Sequence, residues 1–267
     1  MAMDKTIELV NSVKDIQAMP SVIVKVLNVM KKPTVSMKEL GDLVVYDQSL
    51  TIKILALVNS AYYGFSQQIS SISIALSLLG MVKVKNIIVA VAMKPMMSNA
   101  GDKELWKHSI RVAAGCEYLA KLTKIMDADE AFIAGFIHDI GKMVLHSSNP
   151  KMYTKVLNGV ADGADILDIE KHYFDSDHVK TGSLLAKRWQ LPILLANIVS
   201  YHHNPSLSSI PVPCNLVCAV DKLMQENFNP NLLDKDFFKT MGIDLNDVEE
   251  LRQVILQKAE LLIAELT

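Results

Sequence analysis

Residues 132–142 read Phe132-Ile133-Ala134-Gly135-Phe136-Ile137-His138-Asp139-Ile140-Gly141-Lys142. An apolar helical run ends abruptly here on an imidazole, a carboxylate and a glycine of the kind that stops helices. A buried pair of this sort needs a strong partner, because neither group tolerates an apolar setting alone. A divalent cation supplies one, since nitrogen and carboxylate oxygen donors together suit iron, manganese, nickel or zinc. The rest of the chain fits that reading. Of its seven histidines, His108, His138, His178, His202 and His203 fall in the central and later helical segments, with Asp139 and Asp221 among them.

At 267 residues, 50% hydrophobic and 21% charged, the chain can bury a substantial core as one large domain or two small ones. Aromatic residues are only 6%, Met numbers 14, and strand-like alternation is scarce beside Leu, Ala, Met, Lys and Glu, so the expected fold is all-α. A net charge of −2 argues against nucleic acid as the main partner, which calls for a basic face. Cys116, Cys214 and Cys218 are too few for a disulfide framework and imply a reducing, cytoplasmic setting. Cys214 and Cys218 stand one turn apart and could bind zinc, but their apolar flanks read as core. Residues 1–10 lack an apolar signal core, and the longest apolar stretch, 72–93, is broken by Lys83 and Lys85, so neither a leader nor a membrane span is expected.

Helices are expected over residues 5–18 and from Pro20 to about Met30, closed by Lys32-Pro33. Ser36 with Glu39 makes a capping box for a short helix, and Asp47 can cap the next, residues 49–60. This pair resembles a helix-turn-helix, but its second helix offers Lys53 amid Ile52, Ile54, Leu55, Leu57 and Val58, which suits packing better than DNA readout. A helix over 74–79 closes at Gly80, and another over 82–93 stops before Pro95. The polar stretch 97–103 is the candidate boundary between two lobes. Beyond it come helices 104–122, capped by Asp102, and 129–139, one capped by Asp177 and running to Trp189, one from Pro192 to His202-His203, and one from Pro213 carrying Asp221. From Asp244 a long amphipathic helix presents Val248, Leu251, Ile255, Ala259, Leu262 and Leu266 on one face, for internal packing or a homodimer contact.

His108, His138-Asp139 and Asp221, in that order, resemble the HD superfamily of phosphohydrolases, in which these positions bind metal. His178 and His202-His203 resemble the further ligands of the HD-GYP phosphodiesterases, and Glu104, one turn before His108, the extra carboxylate of their three-metal members. The remaining motifs are more similar to the HDOD family, HD-related output domains of bacterial signalling. They are Met19-Pro20-Ser21, Tyr46-Asp47-Gln48-Ser49-Leu50, Val58-Asn59-Ser60-Ala61-Tyr62-Tyr63-Gly64, Ala75-Leu76-Ser77-Leu78-Leu79-Gly80, Leu105-Trp106-Lys107-His108-Ser109, Asp177-His178-Val179-Lys180-Thr181-Gly182 and Trp189-Gln190-Leu191-Pro192. The likeness runs from about Met19 to Leu223.

The resemblance implies an HDOD-type helical lobe over residues 1–100, an HD-type metal-binding lobe over 101–230 and a carboxy-terminal helix over 231–267 packed on both. It implies two or three divalent ions, iron or manganese first and nickel or zinc next, held by Glu104, His108, His138, Asp139, His178, His202, His203 and Asp221, with Asp139 bridging. Asp139 and Lys142 would be the catalytic pair, the lysine contacting phosphate, although Lys142 reads equally well as a solvated lysine complementing a helix end. HDOD proteins are regarded as signalling modules without established catalysis. No Gly-Tyr-Pro follows His202-His203, and Asn204 stands where HD-GYP enzymes have glutamate. The expected function is therefore bacterial signal transduction through a protein partner or a phosphorylated small molecule. The alternative is a phosphohydrolase or phosphodiesterase on a cyclic dinucleotide, nucleotide or other phosphoester. A third reading is a scaffold whose histidines serve packing, the role expected of His146 and His172.

Overall fold

The computed structural model describes residues 4–16, 19–30, 41–42, 44–45, 48–60, 67–99 and 103–266. The capping box at Ser36 and Glu39, the caps expected at Asp47 and Asp102, and stretch 61–64 lie outside these residues. Among the described residues every regular element is helical. Helices α1 (Lys5–Ser12), α2 (Ser21–Met30), α3 (Gln48–Val58) and α4 (Ile72–Asn99) precede α5 (Lys103–Thr123), α6 (Ala128–Ile137), α7 (Ile140–Ser148), α8 (Pro150–Ala161) and α9 (Ile166–Phe174). Then follow α10 (His178–Arg188), α11 (Ile193–Tyr201), α12 (Pro211–Leu223), α13 (Lys235–Thr240) and α14 (Val248–Leu266).

Local chemistry explains most boundaries. Asp127, Asp165, Asp177 and Asp234 each accept backbone N–H bonds at the start of α6, α9, α10 and α13, which satisfies donors that a helix leaves open. In α4, Gly80 takes φ 76°, and the segments Ile72–Met81 and Lys83–Met97 meet there at 105°. The helix does not stop before Pro95, as its sequence suggested, but continues to Asn99. Pro95 is exposed while Met93 and Met97 are buried, so continued burial on the opposite face offsets the lost hydrogen bond. Among the described residues no single helix is long and apolar enough to cross a membrane.

One continuous apolar core runs from Leu9 to Leu266. α2 and α3 pack on α4, which in turn lies against α5 and α6. α1 packs on α7 and α10 instead, far along the chain, where Thr6 Oγ1 lies 2.9 Å from Ser176 Oγ. α14 runs along α5 and reaches α3. Its last turn is tied down by Lys53 and Lys94, whose Nζ atoms donate to the Leu266 carbonyl at 3.2 and 2.8 Å. The apolar face expected of this helix is the buried one: Val248, Ile255, Ala259, Leu262, Ile263 and Leu266.

Gly141 corrects the sequence reading. It does not end a helix but lies inside α7, where a Cβ would sit 1.9 Å from the His178 carbonyl oxygen and 2.6 Å from the Gly182 nitrogen. α7 and α10 therefore touch backbone to backbone, and that contact sets how near the His138-Asp139 turn comes to His178. We expect Gly141→Ala to destabilise the fold by about 3 kcal/mol, because neither backbone can yield without moving a whole helix. Urea unfolding checks this, and a variant as stable as the parent would refute the contact.

Candidate metal centre

Six helices deliver the polar side chains to one point. His108 comes from the second turn of α5, and Asp221 from the third turn of α12. His138 closes α6, and Asp139 occupies the N-cap position of α7 without making a side-chain cap bond. That choice matters, because an aspartate at an N-cap ordinarily spends its carboxylate on backbone N–H groups. His178 opens α10, while His202 closes α11 with His203 directly after it.

The ligating atoms form two groups, His108, His138, Asp139 and Asp221 in one and His178, His202 and His203 in the other. Asp139 stands between them. Its Oδ2 faces His138 Nε2 at 3.1 Å and His108 Nε2 at 3.6 Å, and its Oδ1 faces His178 Nε2 at 3.4 Å and His202 Nε2 at 3.6 Å. Asp221 Oδ1 lies 3.0 Å from His108 Nε2 and 3.6 Å from His138 Nε2. Lys142 Nζ donates to Asp139 Oδ2 at 2.6 Å. His138, Asp139, His178, His202 and Asp221 are buried, whereas the His108, Lys142 and His203 residues are partly exposed and form the open edge.

The ring orientations point to a cation. His138 Nδ1 lies 2.7 Å from the Gly135 carbonyl and His202 Nδ1 3.1 Å from that of Ile198. His178 Nδ1 lies 2.7 Å from Glu170 Oε2. Because each of these neighbours is an acceptor, each Nδ1 carries the proton and each Nε2 turns a lone pair inward. The consequence is sharpest in the second group, where the Nε2 atoms of His178 and His202 lie 3.4 Å apart; His203 Nε2, 3.0 Å from His178 Nε2, makes a hydrogen bond to it when it carries its own proton. Lone pairs that close repel unless a positive charge lies between them. In the first group His108 Nε2 and His138 Nε2, and Oδ1 of the shared Asp139, are enclosed without a partner in hydrogen-bond geometry. The donor set and its orphaned atoms fit a divalent ion in each group.

In the metal-free centre a proton on His138 takes the place of that positive charge. Burial disfavours charge on Asp139 and Asp221, yet the neighbouring histidines and, for Asp139, Lys142 hold both well below the usual carboxylate range. Burial also opposes a proton on His138, but Asp139 and Asp221 outweigh it and raise the group to about 10. His203 is pushed down to about 2 by burial and by its histidine neighbours, and His178 falls well below its ordinary value. Lys142 is raised by Asp139 and Asp221 against the cost of burial, so it stays charged.

Of the eight ligands expected from the sequence, seven converge. Glu104 is the eighth, and its exposed carboxylate meets Lys107 at 2.6 Å and Arg111 at 4.0 Å, outside both groups. One buried acidic residue beside the centre went unread. Glu170 is fully buried behind His178, and burial raises it to about 8 against the pull of Lys142. The available signal was its place four residues from both Ile166 and Phe174, a carboxylate on the apolar face of α9. His146 is buried and stacked on Tyr153, His172 is exposed, and neither joins the centre.

The family model of the HDOD domain matches residues 16–205. An uncharacterized protein of Treponema pallidum is 28% identical over 205 residues, covering 73% of this chain and 39% of its own. The chain spans well under half the length of the curated relatives it matches. Among solved structures, a candidate phosphohydrolase of Shewanella amazonensis is similar with TM-score 0.74 at 21% identity, over 98% of both chains. A candidate signal transduction protein of Marinobacter aquaeolei has TM-score 0.80 at 19% identity, over 93% of this chain and 58% of that one. At such identities the likeness establishes the all-helical fold.

The shifts set a pH profile for the chelated protein. Between 6.5 and about 10 the folded chain holds a proton on His138 that the unfolded chain has released, so stability falls as pH rises through that window. His203, lowered from 6.5 to about 2, works the other way: below 6.5 the unfolded chain binds more protons, so stability rises with pH up to that value. Glu170, raised from 4.5 to about 8, loses its contribution across that span, which overlaps the His138 loss between 6.5 and about 8 and offsets part of the rise below 6.5. Urea midpoints in chelator should therefore peak near neutrality, and a midpoint still climbing between about pH 7 and about pH 9 would contradict the charge arrangement.

Proposed function

The chain belongs to the HDOD family, and from that premise we propose that it is a bacterial signalling protein whose second lobe would hold two divalent ions, with Asp139 facing both groups of donors. The observation that carries this reading is the set of inward-facing Nε2 lone pairs, each fixed by a bonded Nδ1, around one carboxylate that makes no cap bond. His108, His138 and Asp221 would hold one ion with Asp139, and His178, His202 and His203 the other. Iron or manganese suits this mixture of imidazole and carboxylate, with nickel or zinc next. Glu104 would have to leave Lys107 and Arg111 to reach a third ion, which favours two.

When bound, divalent ions supply Lewis acidity toward a phosphate oxygen. The chain's own part is to hold them in a largely dry site, with His108, Lys142 and His203 at the open edge. A phosphorylated ligand would meet that edge, while the first lobe would serve a partner protein. The alternative is hydrolysis of a phosphoester, and the observation favouring it is the charged Lys142 beside Asp139, placed to steady negative charge on phosphoryl oxygens once it leaves the carboxylate.

Elemental analysis should find two ions per chain in protein purified without chelator, and Asp139→Ala should lose most of both. Unchanged metal content in that variant would sink the assignment. Chelation of the parent should lower its melting temperature, since ions bound only to the folded chain stabilise it by mass action. If the protein hydrolyses phosphoesters, Lys142→Ala should keep the metal and lower manganese-dependent turnover by about a hundredfold.

A further inference from the structure

The group formed by His178, His202 and His203 has no carboxylate of its own and shares only Asp139 with its neighbour. Glu170 lies directly behind it. A single oxygen of that side chain, Oε2, accepts two hydrogen bonds from one residue, from His178 N at 2.8 Å and from His178 Nδ1 at 2.7 Å. The first satisfies a donor in the opening turn of α10, where the N-cap Asp177 serves Lys180 instead. The second locks the imidazole, so the ring cannot turn over and Nε2 must face His203 and Asp139. Glu170 Oε1 has no hydrogen-bond partner, which directs the carboxylate's bonding wholly at His178.

The other two locked rings rest on neutral backbone carbonyls, those of Gly135 and Ile198. Only His178 leans on an ionisable group. We propose that Glu170 is the positioning residue of the second ion site, which it makes competent by fixing His178 through two hydrogen bonds. This rests on the metal reading above and deepens it. A carboxylate behind a ligating imidazole raises the basicity of the ligating nitrogen, and removing such a partner typically weakens metal affinity by about ten- to a hundredfold. The brace extends to the amino-terminal helix: the turn between α9 and α10 contains Ser176, whose hydroxyl meets Thr6 of α1.

The test is manganese(II) titration of the full chain by calorimetry, with electron paramagnetic resonance on the same samples, for the parent, Glu170→Ala and Glu170→Gln. The parent should bind two ions and show the spectrum of a coupled pair. Glu170→Ala should bind the ion of the His108, His138, Asp139 and Asp221 group with unchanged affinity and the other about a hundredfold more weakly, so that the coupled spectrum gives way to that of an isolated ion. Glu170→Gln keeps an acceptor oxygen and the side-chain volume, and should lose only about tenfold at the same site. The retained first site reports that each variant is folded. Two ions bound with parental affinity in both variants would overturn the role of Glu170 and leave the metal centre standing. A parent that takes up no manganese would overturn both.

Discussion

A single carboxylate that is not used as a helix cap organises the second half of this molecule. Asp139 stands where an aspartate would ordinarily bind the first N–H groups of α7, yet it turns one oxygen toward His108 and His138 and the other toward His178 and His202. Four helix ends or faces must approach within a few ångströms for this to happen. Packing of apolar side chains alone would not bring five imidazoles and two carboxylates together, since each carries a desolvation cost. The convergence is bearable because the groups neutralise one another, and the lone pairs left over are the part that a cation would satisfy.

The rest of the fold protects that approach. Gly141 and Gly182 let α7 and α10 meet at backbone distance, so the Asp139 turn and His178 belong to one rigid unit. α1 closes over the same pair of helices, and α14 binds α5, which carries His108, to α3 of the first lobe. Arg111, one turn beyond His108, donates to Glu260 of α14 at 2.7 Å. Lys53 of α3 and Lys94 of α4 hold the final carbonyl of the same helix. A displacement of α14 would thus be felt both at α3 and α4 and at α5, the helix that carries His108.

What the sequence disclosed, it disclosed through local chemistry. Asp177 before His178, the Val248 to Leu266 stripe and the turn at Gly80 were all legible because each signal lies within a few residues of its effect. The converging ligands were legible only through family resemblance, since His108 and Asp221 are separated by more than half of the described lobe. Gly141 was misread for a related reason. A glycine after a buried His-Asp pair looks like a helix stop, and nothing nearby in sequence reveals the backbone of α10 lying against it. Pro95 misled similarly, because the burial that carries α4 past it lies on the other face. Glu170 was hidden by its partner being eight residues away around a turn, though its position on an apolar face marked it as odd. Glu104, also named by resemblance, lies 2.6 Å from Lys107 and 4.0 Å from Arg111 in the metal-free chain.

The charge balance of the centre depends on whether ions are bound. Before any ion binds, Asp139 and Asp221 confront one lysine, and five imidazoles that are neutral or share protons, so the cluster is close to self-compensated. Two divalent ions would turn the same cavity strongly positive, with His108, Lys142 and His203 at its edge. In a site walled by apolar helices that field is weakly screened, and its natural counterion is an anion such as a phosphate group. Metal loading would therefore convert an inert polar knot into an anion-attracting surface. That conversion would need no hydrolysis, so a converging set of histidine and carboxylate donors does not by itself require catalysis.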